Sequence, residues 1–473
     1  MTTPYDEVAY PTTAFHQTHP ARMATHAALF GLPFAPVETA RVLDIGCGNG
    51  GNLVPMAVGY PRARFVGLDL SERAIAMGRE TVGALGLDNI RLEVGNLIEA
   101  DFGAASFDYV IAHGVYSWIP EAARDALIAS IRHHLAPNGV AFVSHNALPG
   151  GHLRLLIREM LLFRLRGVEG VQARVDAAWG HLEKIIETYA KTDDAFQVAV
   201  RLLCEEIRTH PKAVLAHDEL GEVYHPLYLG DFLEHAGRHG LQFLTEASAR
   251  RCGEGFRPPY ALDDPDFDVL AHAQQLDFDI LRPYRENLLV RAEIALNRRP
   301  EPTRLYHLYA ASAARMAEPG VFDVGQSRFK LTDERLIAAI QRLGASWPNP
   351  VRICELIDDE DRARALLRLY WAGVMSLDTA PMPFAEAVGD RPQAFPLARL
   401  QASRGQTRLT TPHHVLVDIG DEAGLRFIAS LDGSRTVAQI IADVAAESGR
   451  SDEALDGEVR EKLEGLRRLP LLV

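Results

Sequence analysis

Residues 42–52 read VLDIGCGNGGN, and the fold follows from how that stretch is parsed. An apolar run closes on Asp44, a turn carries Gly46, Gly48 and Gly50, and a short helical pattern follows Asn52. Glycines there let the backbone pass close to a ligand without a Cβ clash, and the helix start offers free N–H groups. A dinucleotide turn would read GxGxxG, with pyrophosphate on the helix end. The spacing here is DxGxGxG, with an acid standing before the turn.

Outward from that turn, short runs rich in Val, Ile and Phe recur at 41–45, 64–68, 90–94, 107–112 and 140–144. Helical stretches lie between them at 71–85, where Ser71 is placed as an N-cap, and at 121–135. This alternation implies a parallel, doubly wound α/β sheet covered on both faces. Asp69 ends the second run, 19 residues past Gly50, where a carboxylate can accept both hydroxyls of a ribose. The third run ends at Gly95-Asn96-Leu97. Asn52, Leu70, Asn96 and Leu97 therefore join Asp44, Asp69 and the glycines as candidate ligand-binding residues.

In such a sheet the ligand sits beyond the carboxyl ends of the strands, where strand order reverses. The stretch VIAHGVYSWIP (110–120) brings His113 and Gly114 to that edge, with Tyr116 and Trp118 in the loop beyond. VSHNALPGG (143–151) brings His145 and Asn146 to the same mouth. Aromatic faces stabilise cations by roughly 0.5–2 kcal/mol each. An amine acceptor, ordinarily near pKa 10.4, must lose a proton, which burial favours and a histidine can relay. His113, Tyr116, Trp118 and His145 are thus candidate catalytic residues. Packing of Tyr116 and Trp118 onto the next helix stays open, as does a plain hydrogen-bonding role for His145. His133-His134 and His413-His414 read as surface or packing residues.

After residue 151 the pattern becomes helical over 152–209, and 225–247 reads as helix, Gly240 stop, then strand. A linker rich in Gly, Pro and Asp spans 253–268, and 269–375 reads as mostly helical. DTAPMPF (378–384) leads to a C-terminal part with strand, turn and helix signals. The expected organisation is a core at 1–151 with an N-terminal lid at 1–30, and a helical insertion at 152–222. The core then ends at 223–258, followed by a middle domain at 259–380 and an α+β domain at 381–473.

Composition is that of a globular chain, 47% hydrophobic and 24% charged. No apolar run is long enough to span a bilayer, and MTTPYDEVAYPTT lacks a basic start and an apolar stretch, so a cytoplasmic location is expected. Cys47, Cys204, Cys252 and Cys354 form no CxxC pair, so neither a disulfide framework nor a zinc site is expected. With 49 basic and 63 acidic residues, the net charge of −14 argues against binding a nucleic-acid backbone and suits a cationic acceptor.

The glycine turn, AHGVYSWIP, SHNALPGG and YDEVAYPTTAFHQTHPARMATHAALFGL (5–32) together resemble bacterial methyltransferases carrying a methyltransferase regulatory domain. That group includes the rickettsial protein-lysine methyltransferases acting on outer-membrane protein B. The resemblance implies a Rossmann-like, seven-stranded class I core with a helical insertion used in homodimer formation, a mostly helical middle domain and a small α+β C-terminal domain bordering an open cavity. It implies S-adenosyl-L-methionine as cofactor and S-adenosyl-L-homocysteine as product, with Asp44 facing the amino-acid end. Asn96 stands where relatives commonly carry an acid for the adenine amino group, and its side-chain carbonyl can serve the same contact. It also implies that Tyr10, Gln17, Thr18 and His19 lie over the cofactor, with Tyr10 and Asn146 toward the acceptor. Relatives tend to read SYN…PGW where this chain has Ser144-His145-Asn146 and Pro149-Gly150-Gly151. The expected reaction is in-line methyl transfer to a nucleophile, foremost a protein lysine amine. A small-molecule acceptor and a non-catalytic cofactor-binding regulator stay open. Nucleic acid comes last, because the strand-four motif is not Asn-Pro-Pro-Tyr and no basic stripe is visible.

Overall fold

The computed structural model describes residues 7–8, 10–248, 251–252, 255–256, 268–382 and 384–473. Seven strands form one sheet: β1 (Arg41–Ile45), β2 (Arg64–Asp69), β3 (Ile90–Val94), β4 (Phe107–Ala112), β5 (Leu135–Asn146), β6 (Leu241–Glu246) and β7 (Tyr284–Arg291). Their order is β3-β2-β1-β4-β5-β7-β6. The first five are parallel, and β7 runs antiparallel to both β5 and β6. Val110, Ile111 and Ala112 on β4 and Ala141, Phe142 and Val143 on β5 are fully buried, as central parallel strands covered on both faces must be. Order reverses between β1 and β4, which opens the ligand crevice at the ends of those two strands.

Helices α1 (Pro20–Leu29), α2 (Leu53–Gly59), α3 (Glu72–Ala84) and α4 (Glu121–His134) flank the sheet. The Ser71 hydroxyl accepts from Ala74 N at 3.1 Å and caps α3. The insertion comprises α5 (Gly151–Arg164), α6 (Val171–Thr188) and α7 (Ala195–Thr209), which pack a separate core around Ile157, Leu161, Leu182 and Cys204. The chain returns through α8 (Leu229–Arg238) into β6. Most of the linker expected at 253–268, the domain boundary at 258/259 and the first six residues of the lid lie outside the described residues.

Beyond α9 (Val269–Asp279) the chain re-enters the sheet as β7, so the core closes at Arg291 and not at the expected residue 258. The run NLLV is buried on both faces, and such a strand has no alternation to distinguish it from a helix. Within the expected helical middle part, β8 (Tyr309–Ala311), β9 (Arg315–Glu318), β10 (Val321–Val324) and β11 (Ser327–Lys330) precede α10 (Glu334–Ser346). After it come β12 (Val351–Arg352), α11 (Glu360–Trp371) and β13 (Ser376–Asp378). Two three-stranded sheets result, β12-β8-β13 and β9-β10-β11. The C-terminal part is α12 (Pro396–Ser403), the hairpin β14 (Arg408–Thr410) and β15 (Leu416–Asp418), then α13 (Glu422–Ser430), α14 (Val437–Ser448) and α15 (Asp452–Arg468). Among the described residues no helix is long and apolar enough to cross a membrane.

Helix α1 is buried almost all round and tied to the middle part, because Arg22 Nη1 and Thr25 Oγ1 donate to Leu377 O on β13 at 3.1 and 3.2 Å. A buried ionic quartet locks the late strands together. Arg285 pairs with Glu246 on β6 at 2.5 Å and with Asp277 on α9 at 2.7 Å, and Arg282 reaches the same two acids. Arg285 is 1% exposed, so removing it leaves two buried carboxylates sharing one cation, Arg282. Arg285→Ala is therefore expected to lower unfolding stability by about 3–5 kcal/mol, measured by chemical denaturation.

Candidate active site

At the end of β1 the turn residues Gly46, Gly48 and Gly50 have φ of +78, +56 and +74°, a region only glycine adopts freely. A Cβ at Gly46 would lie 2.5 Å from Val115, and one at Gly48 2.4 Å from Thr12. The turn is thus a tight cradle, closed over by Val115 and Thr12 so nearly that only glycine fits. Gly48 N and Ser71 N each donate to the Asp69 carboxylate at 2.8 Å, one to each oxygen. The acid is thereby held in place at the end of β2, beside the glycine turn.

Asp44 is 3% exposed, and its pKa is raised to about 7. Burial is the main cause; the Asn52 side chain opposes it and the Asp69 charge adds to it. An acid in that state gains from a cationic partner. Asn52 Oδ1 accepts from Phe15 N at 3.1 Å and from Thr18 Oγ1 at 3.0 Å, and Thr12 bonds the Asn49 side chain. These bonds lay the N-terminal arm, residues 10–19, on the glycine turn. Leu70 and Ile98, 53% and 57% exposed, leave apolar surface at the ends of β2 and β3 that suits a flat ring. Between them Asn96 Oδ1 accepts from Ile98 N at 3.1 Å and keeps a second lone pair.

The mouth is built from β4, β5, β7 and the arm. His113 stacks on Phe15 with centroids 3.9 Å apart, and its Nε2 lies 3.3 Å from the Tyr284 hydroxyl. That hydroxyl donates to Ser144 Oγ at 2.6 Å, and Gly114 N donates to the same oxygen at 2.8 Å. Gln17 Nε2 donates to Glu286 Oε1 at 2.7 Å. Burial lowers the His113 pKa to about 4, so its ring is neutral. A cavity of about 830 Å³ opens beside Asn146 and Tyr284 and runs under the insertion to Asp218 and Glu219. A smaller one of about 300 Å³ lies on the far side of the arm, between Gln17, Arg22 and Tyr370.

Several sequence-selected residues sit elsewhere. Strand alternation sends His145 to the face opposite Ser144 and Asn146, where it is 1% exposed and packs on Phe232 with centroids 4.6 Å apart. The His for Tyr departure at 145 therefore leaves the mouth untouched. Tyr116 is 2% exposed and its hydroxyl bonds His235 Nδ1 at 2.7 Å, which corrects the catalytic reading to packing. Trp118 packs tilted against Tyr224 with centroids 5.0 Å apart, with the guanidinium groups of Arg154 and Arg158 over it. Its cations are thus the insertion's own arginines. His19 caps α1 by accepting from Ala21 N and packs on His414, and Tyr10 stands edge-on to His217 of the insertion, beyond the cradle. His413 and His414 are buried, and His414 Nε2 bonds Asn52 O at 2.9 Å, so the pair belongs to the arm's underside and not to the surface. Sequence reasoning missed Phe15, Ser144, Tyr284 and Glu286. The only signal for the last two was a polar RPYRE segment heading an apolar run.

Three family models match the chain: "Methyltransferase domain" over residues 42–139, "Predicted methyltransferase regulatory domain" over 211–291 and "PKMT, C-terminal winged helix domain" over 390–467. Protein RP028 of Rickettsia prowazekii (strain Madrid E) is 34% identical over 240 residues, covering 51% of this chain and 96% of that protein. Protein RP789 of the same organism is 32% identical over 297 residues, covering 62% of this chain; the match spans about half of that protein's length, 54%. The solved structure of PKMT2 from Rickettsia typhi aligns over 98% of this chain and 100% of its own, at 26% identity and a TM-score of 0.83. The same protein in complex with AdoHcy shares the fold, with a TM-score of 0.82. The methyltransferase domain accordingly takes S-adenosylmethionine as cofactor, and the glycine turn, Asp44, Asp69 and the apolar strand ends have the chemistry to hold that molecule.

For the cofactor's ammonium to pair with Asp44, the carboxyl must give up the proton that burial favours. Binding is then expected to release a proton, and affinity for S-adenosylhomocysteine to rise with pH through about 7. On the acid side it falls by up to about tenfold per pH unit. Calorimetric titration across pH checks this, and Asp44→Asn should bind weakly with a flat profile.

Proposed function

Since the chain belongs to the S-adenosylmethionine-dependent methyltransferases of the rickettsial PKMT type, we propose that it methylates a protein lysine side-chain amine. The observation that carries this reading is the buried Glu286 carboxylate, held by Gln17, beside the Tyr284 hydroxyl at the sheet's mouth. Tyr284 and Glu286 are two residues apart on β7 and so present to one face. A carboxylate there draws in an ammonium and disfavours an anionic acceptor. The neutral His113 adds no repelling charge, and its stack with Phe15 gives the aliphatic stem an apolar wall.

Bound S-adenosylmethionine supplies a methyl group activated on a sulfonium. The chain's part is positioning: Asp44, Asp69 and the glycine turn hold the cofactor while Tyr284, Glu286 and Asn146 orient the amine. Desolvation at the mouth favours the neutral amine, and its proton leaves through the open cavity. Dimerisation falls to the insertion in this reading, where Phe163, Phe196 and Leu202 are 66%, 63% and 53% exposed.

Incubation with isotope-labelled S-adenosylmethionine and a lysate of the host is expected to place label in protein, at lysine by mass spectrometry. Label confined to small molecules would overturn the lysine reading and support a small-molecule acceptor. Tyr284→Phe is expected to lower turnover by roughly tenfold or more while leaving S-adenosylhomocysteine affinity near wild type, since it loosens the acceptor and not the cradle.

A further inference from the structure

Behind the β4 turn, Asp125 on α4 faces His235 on α8 and His239 at that helix's C-terminal end. Asp125 Oδ1 lies 2.8 Å from His239 Nε2 and 3.3 Å from His235 Nε2, and all three donor atoms fall within 4.8 Å of one another. The histidines are four apart in sequence, which puts both on one helix face. We propose that these three residues form a binding site for a divalent transition ion, zinc foremost.

Four observations support it. Two imidazoles and one carboxylate favour a borderline ion over magnesium or calcium. Tetrahedral bonds of about 2.0–2.1 Å place ligand atoms about 3.3 Å apart, which the Asp125–His235 distance matches. The shorter Asp125–His239 distance opens by rotating an Asp125 side chain that is 61% exposed. His235 has its other nitrogen held by the Tyr116 hydroxyl at 2.7 Å, the outer-shell bond that fixes a liganding ring. The end of α8 also presents its negative dipole end to a cation. The one other such trio among the described residues, Asp101-His133-His134, lacks this freedom. His134 Nε2 already accepts from Phe102 N at 3.1 Å, and its Nδ1 faces Ser130 O at 2.9 Å. Cysteine spacing could not reveal the Asp125 site, because its donors are a carboxylate and imidazoles from two helices over a hundred residues apart in sequence. A bound ion would clamp α4 to α8 and, through Tyr116, steady the turn that carries His113 and Gly114.

The test is a cobalt(II) titration of untagged, chelator-stripped full-length protein, followed by visible absorption and zinc competition. One equivalent is expected to bind with the intense band of low-coordinate cobalt and to be displaced by zinc. Asp125→Asn and His239→Ala, both at exposed or half-exposed positions, should each weaken binding on the order of tenfold or more while the circular dichroism spectrum stays unchanged. His133→Ala should bind as wild type. Absence of the band, unchanged affinity in both ligand variants, or loss of binding in His133→Ala would overturn the site.

Discussion

Asn52 ties two distant parts of the chain to the start of α2. Its side-chain oxygen accepts from Phe15 N and Thr18 Oγ1 of the arm, and its main-chain oxygen bonds His414 of the C-terminal part. The same side chain opposes the upward push of burial on the Asp44 pKa. Arm placement, cofactor electrostatics and the docking of the last domain therefore share one residue. His414 holds φ of +59°, a conformation that costs energy outside glycine, and the surrounding contacts keep it there.

Around that residue the interior is kept uncharged. His16, His26 and His413 have pKa values lowered to about 3, and His414 to about 4, chiefly by burial, with Arg22 adding repulsion to the first three. Neutral rings can pack edge to face and bond main-chain carbonyls without a counter-ion, as His16 does with His413 O at 2.7 Å. Arg282, Arg285, Glu246 and Asp277 are instead buried as charges matched to one another. That quartet sits on the face of β7 opposite Tyr284 and Glu286, so one strand carries both the ionic lock and a wall of the mouth.

The aromatic cluster at 116–118 shows how local sequence and tertiary role part company. Residue types that suit cation stabilisation stand there, yet their partners come from the insertion and from α8. Tyr116 bonds His235, and Trp118 stacks beneath Arg154 and Arg158. These residues join the extra helices to the core, and it is Tyr284, not they, that stands beside His113 at the mouth.

The glycine cradle of this protein was legible in its sequence because it is local. A positive-φ turn needs glycine, and the acids that serve it sit at the ends of adjacent strands a fixed distance along the chain. The sheet's first five strands followed from the same alternation, and a family resemblance supplied the extra domains. The mouth opposite it was not legible, since β7 lies next to β5 only after more than a hundred intervening residues have folded aside. Which face His145, Tyr284 and Glu286 present depends on strand register, and a two-residue period flips with a shift of one. Sequence determined the chemistry around Gly46, Asp44 and Asp69, because neighbouring residues make that site. Only tertiary structure decided what stands opposite it, because those groups are brought together by sheet order and by burial.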